Sequence, residues 1–495
     1  MKKIMTPLCL LASLAFTTAC VAAPAAELKD SYAIVATKSV VEDPVWKAAT
    51  IDPLLQKYPH AKVFVWEKML DEVLPQMKAM QPSFTAFVGK PEETTRDLVM
   101  TAHVFTRLLD EDPYVDTLWG LITGYDAASA ALVAGAGDIS IERAFDCSGT
   151  DLQAFNEGWR YSEDYRGTMH YWKRGMAEIE KSPCSTDNTQ GVLQRLKENK
   201  IQFLATSGHA TEHDWQMGYC GPNMQMRHEK GELYALDTKH ERHPAGSTEP
   251  KVYFANGNCL IGNIDKTDCM ALSWMRDGGV RQMMGYTVTT WFGAQGWGAL
   301  GLYVDHAGLC TAAEAFHFTN TSIVKKIKDY NIPDMMTWRW TTVGHMNVPQ
   351  TRGMQAYAQA KYEKDPSIAN GKMIRSELQD MAGNLHDRDS VAFYGDPALK
   401  TVIANGRLTV HAPTYEDGVL TLSLTANEGI RKGDVWFRLP GSWNYTEADI
   451  VADAALGKAT LVVDNMVRFS PEAVLTPGKT YTVKIQKATR KGTYQ

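Results

Sequence analysis

Ile201-Gln-Phe-Leu-Ala205 runs into Thr206-Ser-Gly-His209, and Val252-Tyr-Phe-Ala255 runs into Asn256-Gly-Asn-Cys259. Each stretch opens with apolar, strand-type residues and ends on glycine and one chemically able side chain. If both are neighbouring parallel strands, they leave the sheet at one edge, and His209 and Cys259 emerge together. A histidine and a cysteine so held are the minimum equipment for thiol catalysis. The thiolate is the nucleophile, and the imidazole takes up a proton and delivers it to the leaving amine. Gly208, Gly257 and Gly262 lie beside the pair and permit sharp turns and close substrate approach.

The pattern around this pair predicts an α/β fold: a mostly parallel sheet with flanking helices, in two subdomains. Residues 32–36, 62–66 and 84–88 read as strands, and 45–57 and 94–109 as helices. Residues 140–190 are polar, aromatic-rich and weakly periodic, and read as a long insertion with short helices. A helix is expected over 190–200 and a variable excursion over 218–250. Residues 270–275 read as helix and 280–290 as strand. Thr311-Ala-Ala-Glu314 is a capping box that starts a helix running to about 329. After residue 399 the chain reads as short strands separated by turns, an all-β sandwich of immunoglobulin-like size. The expected division is a signal peptide over 1–25, an N-terminal α/β subdomain over 28–140, a catalytic subdomain over 141–399 and the sandwich over 400–490.

Lys2 and Lys3 precede the apolar stretch Pro7-Leu-Cys-Leu-Leu-Ala-Ser-Leu-Ala-Phe16, the layout of an export signal. It is too short to span a bilayer. Ala23-Pro-Ala25 suits cleavage after Ala25; cleavage before Cys20 would instead leave a lipid anchor there, the one membrane attachment the sequence offers. The expected location is secreted, periplasmic or cell-surface. A net charge of -6 and no basic run give no reason to expect nucleic acid as a partner. Eight cysteines, less Cys9 and Cys20 of the leader, leave Cys147, Cys184, Cys220, Cys259, Cys269 and Cys310. An even set in an exported chain permits three disulfides, with Cys259 a half-cystine; a free Cys259 leaves two bridges and one spare thiol.

A rival chemistry sits on the same residues. His209-Ala-Thr-Glu-His213 fits the His-x-x-Glu-His pattern of zinc hydrolases, which needs both histidines one turn apart on a helix. A first histidine directly after a strand and Ser-Gly suits a loop instead. His240 and His243, with Glu241 and Arg242 between, read as a solvated loop.

Gly208-His-Ala-Thr-Glu-His-Asp-Trp215 resembles the Gly-His-Gly segment, with tryptophan shortly after, of gingipain-like cysteine peptidases of the caspase–gingipain clan. Asn258-Cys-Leu-Ile-Gly262 is similar to their nucleophile segment. Asp116-Thr-Leu-Trp-Gly120 resembles a segment of Asp followed by Gly-Arg, with Leu121 in place of the arginine. Tyr394-Gly-Asp-Pro-Ala-Leu399 resembles the segment that closes their catalytic domain, which an immunoglobulin-like domain often follows. Ala210 replaces the second glycine, and Asn258 stands where a small residue is usual. The resemblance implies a Cys259–His209 dyad acting on protein or peptide substrates by acyl transfer. It implies an oxyanion site of backbone N–H groups around Gly208, Ala210 and Cys259, and a substrate pocket lined by Thr289, Thr290 and Trp291. No metal or cofactor is expected in the chemistry; bound calcium, present in relatives, is assigned to no residue. The alternatives are a catalytically silent peptidase fold acting in binding or adhesion, and the zinc hydrolase.

Overall fold

The computed structural model describes residues 30–161, 167–198, 200–219, 223–340, 349–364, 372–404 and 406–427, and toward the C-terminus 435–438, 443–444, 450–457, 459–463, 466–469, 475–486 and 489–490. The expected export signal, Cys20 and Cys220 lie outside these residues.

One twelve-stranded sheet organises the molecule. Its strands are β1 (Tyr32–Thr37), β2 (Lys62–Trp66), β3 (Phe84–Val88), β4 (Leu118–Ile122), β5 (Arg143–Cys147), β6 (Glu157–Tyr161), β7 (Thr168–Lys173), β8 (Glu180–Pro183), β9 (Phe203–Gly208), β10 (Lys251–Asn258), β11 (Val280–Tyr286) and β12 (Val391–Tyr394). Their spatial order is β2-β1-β3-β4-β12-β11-β10-β9-β5-β6-β7-β8. Pairing is parallel except at β12–β11, β6–β7 and β7–β8. Every residue of β1, β4, β9, β10 and β12 is buried, as continuous apolar runs covered on both faces require.

The covering helices follow local signals. Asp43 caps α1 (Pro44–Lys57) through its side chain, and the helix continues through Pro53. The described helices also include α2 (Arg96–Phe105), α3 (Met270–Arg276), α4 (Ala294–Asp305), α5 (Ala312–Asp329), α6 (Arg352–Lys364) and α7 (Lys372–Arg388). The capping box forms as expected: Thr311 Oγ1 accepts from Glu314 N, and Glu314 Oε2 accepts from Thr311 N.

Two expectations need correction. Residues 140–190 are not an insertion of short helices; they supply β5–β8 and extend the sheet to its edge. Aromatic residues carry them: Trp159, Tyr161 and Trp172 are buried while Arg160 and Tyr171 between them are partly exposed, a pattern too short to stand out among polar residues. Residues 218–250, read as an excursion, contribute to a four-stranded antiparallel sheet of Asp214–Gln216, Gln225–Glu229, Glu232–Leu236 and Arg242–Pro244.

The halves of the large sheet meet where β12 pairs with β4, at Tyr394 opposite Leu121. Gly395 N donates to Leu121 O at 2.8 Å, and a Cβ on Gly120 would stand 2.1 Å from Gly395 O, so only glycine fits there. Asp396 next along is fully buried. It accepts from Tyr32 OH (2.8 Å), Tyr58 OH (2.8 Å) and Lys57 Nζ (2.6 Å). Beyond residue 399, two antiparallel sheets share one core in which Leu420, Leu422, Val483 and Ile485 meet Val467 and Phe469.

Candidate functional site

β9 and β10 are hydrogen-bonded neighbours running in parallel, and the last register pair is Gly208 opposite Asn258. His209 and Cys259 are therefore the first residues out of adjacent strands, whose axes lie about 4.8 Å apart. Cys259 is a free thiol and partly exposed; the half-cystine alternative is not realised. Among the described residues Cys147, Cys184, Cys269 and Cys310 are free thiols too. Burial pushes the Cys269 thiol up to about 12 and raises those of Cys147 and Cys310 well above the ordinary thiol range, which leaves those three inert beside the accessible Cys259.

The strand ends are fixed by polar groups the interior cannot leave unpaired. Asn258, wholly buried, donates from Nδ2 to Gly208 O at 3.1 Å and accepts at Oδ1 from Thr206 Oγ1 at 2.6 Å. Trp215 is buried and donates from Nε1 to Ser207 O at 3.0 Å. Gly208 has φ +123°, and a Cβ there would stand 2.4 Å from Gln216 O, so the glycine is obligatory. His209 is held by its backbone on both sides: its N–H donates to Gly218 O at 3.2 Å, and its carbonyl accepts from Gln216 N at 2.7 Å. Its ring is left exposed with Tyr219 edge-on at 5.4 Å. Tyr219 OH reaches back to Ser207 Oγ and to Gly257 O (3.2 Å), bridging both strands.

The cysteine side is equally fixed. Leu260 takes φ +60°, a sparsely populated conformation for a branched residue. It is held by Leu260 N donating to Val288 O at 3.0 Å and Gly262 N donating to Tyr286 O at 2.9 Å. Thr290 N donates to Cys259 Sγ at 3.2 Å, the kind of contact a thiolate accepts. Thr290 Oγ1 beside it is buried without a partner.

The remaining candidates sort as follows. Ala210 is not left-handed, so its Cβ is accommodated where the resembled family has glycine. Because the His209 N–H is spent on Gly218 O, it is not a free oxyanion donor. Thr290 lies on the sulfur, while Trp291, half-exposed, lines a cleft of about 500 Å³ with Phe292, Met354, Leu378 and Ala382. Thr289 is not part of that cleft's described lining. Residues 209–213 form a turn into strand Asp214–Gln216, not a helix, so the His209/His213 spacing lacks the geometry zinc needs. His243 pairs with Asp237 at 3.0 Å on an outer strand.

No known family's sequence profile matches the chain, and no curated protein matches it. Two solved structures do. The chain is similar in structure to a gingipain. One match is the complex of the pro- and mature domains of Porphyromonas gingivalis RgpB, at 10% identity and TM-score 0.42, over 93% of this chain and 99% of that one. The other is the Arg-specific cysteine proteinase gingipain R (RgpB), at 12% identity and TM-score 0.40, over 94% and 99%. The likeness is loose, and the chemistry of the site rests on this chain's own residues. Among those residues, sequence reasoning missed Tyr219 and the Thr290 N–H. The side chain of Asn258 was visible only as a departure from a motif.

Proposed function

We propose that the chain is an exported cysteine endopeptidase that cleaves peptide bonds through a Cys259–His209 dyad. The observation that supports this reading is the register of Gly208 opposite Asn258, which makes His209 and Cys259 the next residues along two adjacent parallel strands. Cys259 Sγ attacks the scissile carbonyl while His209 protonates the leaving amine. The acyl-enzyme is then hydrolysed. Backbone N–H groups of Gly208, Ala210 and Cys259 are the oxyanion donors assigned in this reading. The cleft that begins at Trp291 has no charged side chain in its described lining, and we read it as taking a bulky apolar side chain next to the cut. The C-terminal unit is read as an immunoglobulin-like accessory domain.

The test is cleavage of a diverse peptide library by the mature protein and by Cys259→Ala, under reducing conditions, with and without chelator. Cleavage that survives chelator, is lost in the variant and favours bulky apolar residues is expected. Cleavage that persists in the variant and dies with chelator would overturn the thiol mechanism. No cleavage by either form would move the function to binding.

A further inference from the structure

The loop after His209 and the loop after Cys259 meet a second time, away from the dyad. His213 places Nε2 3.1 Å from Asp265 Oδ2 and Nδ1 3.2 Å from His228 Nε2. His228, on strand Gln225–Glu229 with its side chain 5% exposed, places Nδ1 3.0 Å from Asp268 Oδ1. The four residues form one chain, Asp268–His228–His213–Asp265, closed by three contacts. Each contact needs one proton, because carboxylates only accept and two facing ring nitrogens need an N–H between them. Two neutral imidazoles bring two protons. The third must come from solvent.

We propose that this chain binds one surplus proton and, through it, fastens the His209 loop to the Cys259 loop, which makes His213, His228, Asp265 and Asp268 positioning residues for the dyad. The kinetic consequence rests on the peptidase reading; the proton count does not. Burial lowers the pKa of His228 against the opposing pull of Asp268. Two further ties join the same loops: Asn263 Nδ2 donates to Glu212 Oε1 (2.8 Å) and Met270 N donates to Glu212 O (2.8 Å). The charged groups around the chain are Lys266 beside His228, and Lys230, whose N–H donates to Asp268 Oδ2. Arg276 reaches Lys230 O. Arg227 faces Asp214 at 3.9 Å, and Glu212 adjoins His213. When the surplus proton leaves, two lone pairs face each other at one contact, and that contact opens. The tie is therefore present at lower pH and lost as pH rises.

The first measurement is NMR of histidine ring nitrogens in ¹⁵N-labelled Cys259→Ala protein from about pH 5 to about pH 9. Three hydrogen-bonded ring N–H protons from His213 and His228 are expected at the acid end and two at the alkaline end. Two at every pH would overturn the proposal. Stoichiometric uptake of added zinc that replaces the N–H between the rings would also overturn it, in favour of a metal site. The second measurement is the pH profile of kcat/KM for Asp265→Asn. Loss of the carboxylate should move the alkaline limb about one pH unit toward acid. A uniform fall in activity with the limb unmoved would mean a merely structural role. If the wild type cleaves nothing, the NMR still decides the proton count, so failure of the peptidase reading is told apart from failure of this one.

Discussion

Replacing Asn258 with aspartate tests how the two strand ends are held together. The wild-type amide works in both directions, accepting from Thr206 and donating to Gly208 O, with no access to water. Aspartate keeps the shape and the acceptor but loses the donor. Ionised, it sets a buried negative charge against a carbonyl oxygen; protonated, it regains an O–H for Gly208 O. Burial therefore raises its pKa in the folded chain above the unfolded value of about 3.9. Above that value the unfolded chain releases a proton that the folded chain keeps. The folded state binds more protons, so stability falls as pH rises, by about 1.4 kcal/mol per unit. A shift of about 2–3 units predicts a loss near neutrality of about 3–4 kcal/mol, most of it absent near the unfolded pKa. Asn258→Ala instead removes two hydrogen bonds at about 1 kcal/mol each and leaves a small void, for about 2–3 kcal/mol at any pH. Urea unfolding of both variants, followed by tryptophan fluorescence at acid and neutral pH, separates the cases. Equal loss for Asn258→Asp at both pH values would refute the reasoning, as would Asn258→Ala within about 0.5 kcal/mol of wild type.

Gly208→Ala should cost at least about 2 kcal/mol and abolish peptide cleavage, since φ +123° and Gln216 O leave no room for a Cβ; normal melting with full activity would contradict this. Asp396→Asn should cost about 3 kcal/mol in chemical denaturation, the low end for breaking a buried pair because Lys57 is partly exposed and keeps Ala136 O as acceptor. Burial lowers His103 to about 4 and His317 to about 3, so below the unfolded value of about 6.5 the unfolded chain binds two protons that the folded chain refuses. Stability should then fall with acid by up to about 1.4 kcal/mol per pH unit for each, and His317→Gln should flatten that slope. Trp291→Ala should lower kcat/KM for peptides with bulky apolar residues more than for others, if the cleft is the pocket.

The strands that flank the dyad were legible because β9 and β10 are apolar runs with glycine at their ends, and burial on both faces leaves such runs little choice. The emergence of His209 and Cys259 from adjacent strands followed from that. The edge strands β6–β8 were not legible. Segments like Glu157-Gly-Trp-Arg-Tyr161 carry three buried residues among charges, and pairing with neighbours, not local preference, makes them strands. The role of Asn258 could not be read from sequence, since it depends on Gly208 and Thr206 being across the strand pair. The His213–His228 chain is out of reach of sequence for the same reason: its four members come from three separate loops or strands.

The single bridge between Tyr394 and Leu121 has a consequence for how the chain is made. β4 is complete by residue 122, yet its outer neighbour arrives with residue 391. A chain synthesised from its N-terminus therefore carries an open, wholly apolar strand edge through most of its growth, the condition under which sheets pair with the wrong partner. β12 acts as a late keystone, and a chain stopped short of it would leave two halves each with a raw edge.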